Sequence, residues 1–145
     1  YALSLAKKSA EEGEVPVGAI VVCDGEIVGE GRNRREVVKN ALHHAEIEAI
    51  NNACKNLGGW RLFKCDLYVT LEPCPMCAGA MVMACLDRCY FGAKDERQGC
   101  CESLYALPRD PAFYHRLPCT GGLMEKEATE ILTTFFKDKR HGNAF

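Results

Sequence analysis

Residues 67–81 read LYVTLEPCPMCAGAM. Leu67, Val69 and Leu71 alternate with Tyr68 and Thr70, the period of a strand. At Cys74 the chain turns through two prolines into a helix-like apolar run that reaches Ala84. Strand (66–71) into helix (74–84) is half of a crossover unit, and the flanks continue the alternation. Upstream, residues 1–12 carry Leu and Ala at helical spacing up to Gly13, and Val15–Cys23 is a dense apolar run suited to a strand buried on both faces. Asp24-Gly25 is a hairpin signal, with Glu26–Asn33 as the return strand. The polar stretch RNRREVVKNALH (32–43) reads as a long loop. A helix then begins near His44, with Ile47, Ile50, Cys54 and Leu57 as its expected buried stripe and Gly58-Gly59 as its stop. Downstream lie a strand over 88–92, a short helix over 102–106, an edge segment over 116–120 and a terminal helix over 124–140. The pattern predicts one α/β domain spanning residues 1–145. Its mixed five-stranded sheet opens with an antiparallel hairpin and continues with parallel strands, between layers of helices.

The chain has 145 residues, 48% hydrophobic and 26% charged, enough for one ordinary core. Its ten cysteines mostly interrupt apolar runs, and no segment has the length of a membrane span or the form of a signal peptide. These features favour small buried thiols in a reducing, cytoplasmic compartment over a disulfide framework. A formal charge of −2 supplies no broad basic surface, so a nucleic-acid partner would have to be held by a local patch.

Cys74 and Cys77 stand where a strand ends and a helix begins, so both thiols can meet one ion, and the helix N-terminus favours the thiolate that binds metal. An isolated CxxC is equally read as core packing or as a thioredoxin-like redox pair. HHAEIEAI (43–50) separates these readings. His44 leads the expected buried stripe, and Glu46 is a carboxylate in an apolar helix entry, costly to bury without a partner or a role. Residues two apart do not share a face inside a regular helix, so a common site for the two requires the helix to begin at about His44. His43 lies off the stripe, although sequence leaves it open as the ligand. One His and two Cys make three protein ligands, the count of a catalytic zinc that keeps a position for water. His115, Cys85 and Cys89 could complete a structural site, but none stands at motif spacing to the CxxC. A water on such a zinc has its pKa lowered to roughly 7, making hydroxide available, and Glu46 would shuttle its proton. H-x-E combined with P-C-x-x-C is the signature of zinc nucleobase deaminases.

With these motifs, EVPVGAIVV (14–22), GEGRN (29–33), FGAKD (91–95), Ser103-Leu104, His115-Arg116 and Phe135-Phe136, the chain resembles the bacterial tRNA-specific adenosine deaminases over roughly residues 5–140. The resemblance implies a three-layer cytidine-deaminase-like fold and conversion of the wobble adenosine of a tRNA anticodon loop to inosine. It implies one Zn2+ per chain on His44, Cys74 and Cys77, with Glu46 as proton shuttle. Asn33 would hydrogen-bond the base in a pocket of Pro16, Val17 and Leu71, with Asp95, Phe135 and Phe136 near the flanking nucleotides. It also implies a homodimer whose RNA site draws on both subunits. His43, Tyr114 and Lys137 depart from the family's pattern, and Cys100-Cys101 receives no role from it.

Phe135 and Phe136 are adjacent and cannot both face a core, which leaves one as a stacking surface for a base. Lys137, Lys139 and Arg140 form the expected phosphate patch, although cations at a helix C-terminus are favoured in any protein. The alternative function is deamination of a free base, nucleoside or nucleotide, because the zinc motif is common to those families.

Overall fold

In the computed structural model, which describes residues 1–140, the sheet starts at one edge with a hairpin and grows in one direction from it. Strand β1 (Gly18–Cys23) lies between β2 (Glu26–Arg32) and β3 (Cys65–Leu71) and is antiparallel to both; β4 (Arg88–Ala93) and a two-residue β5 (Cys119–Thr120) add in parallel. The order β2-β1-β3-β4-β5 is the expected mixed five-stranded sheet. Asp24 (φ 51°) and Gly25 (φ 77°) both take positive φ, the turn that matches the twist of a two-residue hairpin.

Helices cover both faces. Helix α1 (Ala2–Glu11) and α5 (Glu125–Asp138) touch each other over one face; α3 (Ala45–Leu57) and α4 (Pro75–Met83) meet over the other. The core between them is continuous, with Val21, Leu67, Phe91, Met81 and Leu86 fully buried. Among the described residues no helix is long and apolar enough to cross a membrane.

The face that α3 buries differs from the expected stripe. Ala45, Ala49, Ile50 and Ala53 are buried together with Glu46, whereas Ile47 and Cys54 are half-buried and Leu57 is exposed. The cause lies in β2. A Cβ on Gly29 would fall 2.3 Å from the Ala49 carbonyl oxygen, and one on Gly31 would fall 2.4 Å from that of Ala45. The helix therefore rests on bare strand backbone, and only alanine-sized side chains fit the seam. Large apolar residues are displaced to its flanks.

Two connections are shaped by buried carboxylates. Glu14 accepts the backbone N–H groups of Glu36 and Val37, which organises a short helix, α2 (Arg35–Val38), inside the segment expected to be plain loop. Glu72 accepts those of Asp95, Cys101, Glu102 and Ser103. Burial works against the charge on Glu72, but the Ser103 hydroxyl and these amides outweigh it and hold the carboxyl below the usual range. Because those amides point at Glu72, residues 102–106 do not form the expected helix; the helical turn comes later, as a 3₁₀ segment at Leu107–Arg109.

Candidate active site

His44 is the N-cap of α3, extended at φ −81° and ψ 158°, and Glu46 follows in the first turn. That break in helical geometry is what lets residues two apart address one place. Cys74 is likewise the extended N-cap of α4, Pro75 occupies the first turn where its missing N–H costs nothing, and Cys77 follows one turn in. Two helix N-termini thus meet head to head. His44 Nδ1 lies 3.6 Å from Cys74 Sγ and 3.6 Å from Cys77 Sγ. A tetrahedral zinc with ordinary Zn–N and Zn–S bonds separates a nitrogen from a sulfur by about 3.6 Å. The donor set therefore fits zinc in chemistry and in spacing. Among the described residues no fourth ligand joins it: His115 Nε2 is bonded to the Leu86 carbonyl, and Cys89 belongs to a separate group of thiols.

Hydrogen bonds couple the three groups. The Cys77 thiol donates to Cys74 and, with His44, outweighs burial to hold Cys74 down at about 4. Cys77 is pushed up in turn by its hydrogen bond to Cys74 and by burial, and the hydrogen bond to Cys74 outweighs burial to pull His44 up. A dication replaces the protons in this cluster, so metal binding releases them. Glu46 is 4% exposed, and burial, reinforced by Cys74, pushes its carboxyl up to about 7. A group poised there takes and gives a proton at neutral pH.

The cluster opens into a cavity of about 1000 Å³ lined by Val17, Asn33, Leu71, Asp95, Phe135 and Phe136 as well as His44, Glu46 and Cys74. Pro16 is fully buried outside this lining, and Val15 occupies the wall instead. Asn33 is 7% exposed and already engaged: its Nδ2 donates to the Val15 carbonyl, and its Oδ1 accepts the Arg35 N–H. Phe135 is buried with the Lys139 ammonium over its ring, whereas Phe136 is 44% exposed, which separates the adjacent pair as expected. Arg140 and Lys139 line the cavity; Lys137 is exposed and stands outside the lining. Three further cations at the wall, Arg35, Lys94 and Arg97, were not singled out in the sequence. FGAKD carries Lys94, and the Arg32–Arg35 run carries Arg35, but charge runs read first as solvated loop.

His43 is not a ligand. Its Nε2 meets Glu48 Oε2 at 2.5 Å, and Glu48 also takes both Arg34 guanidinium contacts, at 3.0 and 2.8 Å. Burial opposes ionisation of Glu48, but His43 and Arg34 outweigh it and hold the carboxyl below the usual range. The group pins the segment that runs from β2 to His44.

Residues 1–140 match the family model of the MafB19-like deaminases. The tRNA-specific adenosine deaminase of Bacillus subtilis (strain 168) is 45% identical over 139 residues, covering 96% of this chain and 86% of that protein. A solved structure from work on A-to-I editing by tRNA:A34 deaminases superposes with a TM-score of 0.87 at 43% identity, covering 90% of this chain and 95% of that one. The structure of a guanine deaminase from Bacillus subtilis superposes at 0.63 with 31% identity, covering 98% and 91%. The match along nearly the whole chain agrees with the ligand cluster and its neighbouring carboxylate: the chain belongs to the MafB19-like deaminases and, within them, to the tRNA-specific adenosine deaminase family.

Proposed function

We propose that this protein hydrolytically deaminates adenosine to inosine at the wobble position of a tRNA anticodon loop. The observation that carries the reading is the three-ligand cluster with a protonatable Glu46 beside it, at the bottom of a cavity rimmed by cations. His44, Cys74 and Cys77 would hold one zinc ion. When bound, zinc acts as a Lewis acid that makes hydroxide available from water near neutral pH. Glu46 would accept a proton from the water and deliver it to the ring nitrogen beside the amine-bearing carbon, then take the proton of the newly added hydroxyl and pass it to the amine, which leaves as ammonia while that oxygen becomes the carbonyl of inosine. Val17 and Leu71 supply apolar walls for the base, with Pro16 packed behind them. Asn33 bonds the base by exchanging its present carbonyl partner or through its Oδ1. Asp95 and Phe136 lie where flanking nucleotides would pass, with Phe135 beneath, and Arg140 and Lys137 serve phosphates.

Two features favour RNA over a free base. The cavity stands at the upper end of the range for small-molecule sites, roughly 300–1,000 Å³. Its cations Arg35, Lys94, Arg97, Lys139 and Arg140 have nothing to recognise on a purine alone. The second reading, deamination of a free base, nucleoside or nucleotide, is favoured by the likeness to the guanine deaminase.

A homodimer is part of the proposal. Trp60, Phe63, Met83 and Tyr114 are each more than half exposed, and the Leu62 N–H donates to the Ala84 carbonyl, so the loops bearing the first three meet. An apolar surface of this kind marks an interaction site. Ten unpaired cysteines fit the reducing cytoplasm, and residues 1–145 act as one catalytic domain. Initial rates on an anticodon hairpin, free adenosine, cytidine and guanine test the substrate. The hairpin should be preferred by orders of magnitude; equal or faster turnover of a free base or nucleoside removes the RNA reading.

A further inference from the structure

Apart from the catalytic cluster, the described residues bring three ligand atoms together at one other place: the Sγ atoms of Cys89, Cys101 and Cys119, all within 4.8 Å of one another. Cys89 and Cys119 stand directly opposite in the parallel register of β4 and β5. Cys101 arrives from the far turn, which the buried Glu72 holds through the Cys101, Glu102 and Ser103 amides. All three are buried, at 0%, 2% and 9% exposure, beside Leu117 and Phe91. The adjacent Cys100 does not join them.

We infer that Cys89, Cys101 and Cys119 form a second metal site, separate from the catalytic one, that takes a cuprous ion in three-coordinate thiolate ligation. The donors decide the class of metal. Three sulfurs without nitrogen or oxygen select a soft cation such as Cu(I) or zinc. Zinc in a closed site takes four ligands, and this cluster has three and lies shut away from solvent. A cuprous ion is satisfied by three.

The spacing also fits. Sulfurs no farther apart than that lie at most about 2.8 Å from a common centre, against about 2.3 Å for a sulfur–metal bond. No sulfur needs to move by more than about 0.5 Å, which a small χ1 rotation supplies. Two donors on neighbouring strands and a third on a carboxylate-pinned turn are held by backbone, so the site is preorganised. The ion would tie the edge strand β5 to the turn that follows β4.

The test uses zinc-loaded, fully reduced protein under anaerobic conditions. It is titrated with cuprous ion against bicinchoninate and brought to equilibrium, with zinc and copper both counted. One copper per chain should bind with zinc retained, X-ray absorption should show three sulfurs, and the melting temperature should rise. Cys101→Ser and Cys119→Ser should each weaken binding at least tenfold and abolish the thermal shift, while Cys23→Ser leaves both unchanged. Two variants on different elements keep the test valid if one folds poorly. Copper that expels zinc one for one, copper held equally well by both variants, or no binding above the chelator would overturn the site, the last leaving a packed thiol core only.

Discussion

Two trios of ligand atoms sit among the described residues, and they differ in where the backbone puts them. His44, Cys74 and Cys77 stand at the N-termini of α3 and α4, where unpaired N–H groups and the positive ends of two helices favour anionic sulfur. Half-buried His44 and Cys74 face a cavity, so an ion there has a side left for water and substrate. Cys89 and Cys119 lie on paired strands inside the core, and Cys101 closes the third side. Such a place can hold an ion but gives it nothing to react with. Access on the coordination sphere, more than the ligands themselves, separates a reactive centre from a clamp.

The largest expected effect breaks the first trio. Cys74→Ala should lose its zinc and fall to background deamination, whereas Cys119→Ser keeps one zinc per chain; metal analysis of both checks it, and zinc retained in Cys74→Ala removes Cys74 from the ligand set. Next is Glu46→Gln, which should keep zinc and fold while turnover drops by about 10²–10⁴, measured as kcat on a saturating hairpin. Below that comes the rim. Charge reversal at Arg140 should cost more than reversal at Lys137, because only Arg140 lines the cavity. Each lost phosphate contact should reduce the slope of log rate against log salt by about 0.7 at subsaturating RNA. Cys101→Ser should leave kcat within a factor of about two while lowering stability by about 0.5–3 kcal/mol, the usual cost of disturbing a buried side chain.

The smallest effect concerns the Arg34–Glu48–His43 group. Glu48 is held below the usual carboxylate range, so its contribution is fully present above the unfolded carboxylate pKa and is lost as pH falls through the lower folded value. Urea midpoints of wild type and Glu48→Gln should therefore differ by a constant amount from about pH 5 to 8 and converge in acid. A difference that grows in acid would mean that Glu48 is not the group responsible.

Legibility followed sequence distance. The ligand set was readable because its parts are local: a CxxC across a helix start, and a His and Glu two apart at another. The sheet was readable from alternation and the Asp24-Gly25 turn. The inward face of α3 was not, because glycines on β2, distant in sequence, reverse the rule that large apolar residues point inward. The helix expected over 102–106 failed because Glu72 claims the local amides from 30 residues away. Cys89, Cys101 and Cys119 obey no spacing rule, so only the fold unites them. Arg35, Lys94 and Arg97 looked like ordinary surface charge, and their meeting at one rim is a tertiary fact.

The bare backbone of β2 beneath α3 acts as a datum surface for the chemistry. The Ala45 carbonyl lies above Gly31, and Ala45 is the one residue between His44 and Glu46. Rotamer changes elsewhere in the core cannot alter that reference, since no side chain is interposed. A single added methyl would lift the helix by more than the tolerance of a metal–ligand bond. The placing of His44 and Glu46 is thus intolerant of a methyl group at Gly29 or Gly31, a pattern of mutational sensitivity that distance from the cavity would not foretell.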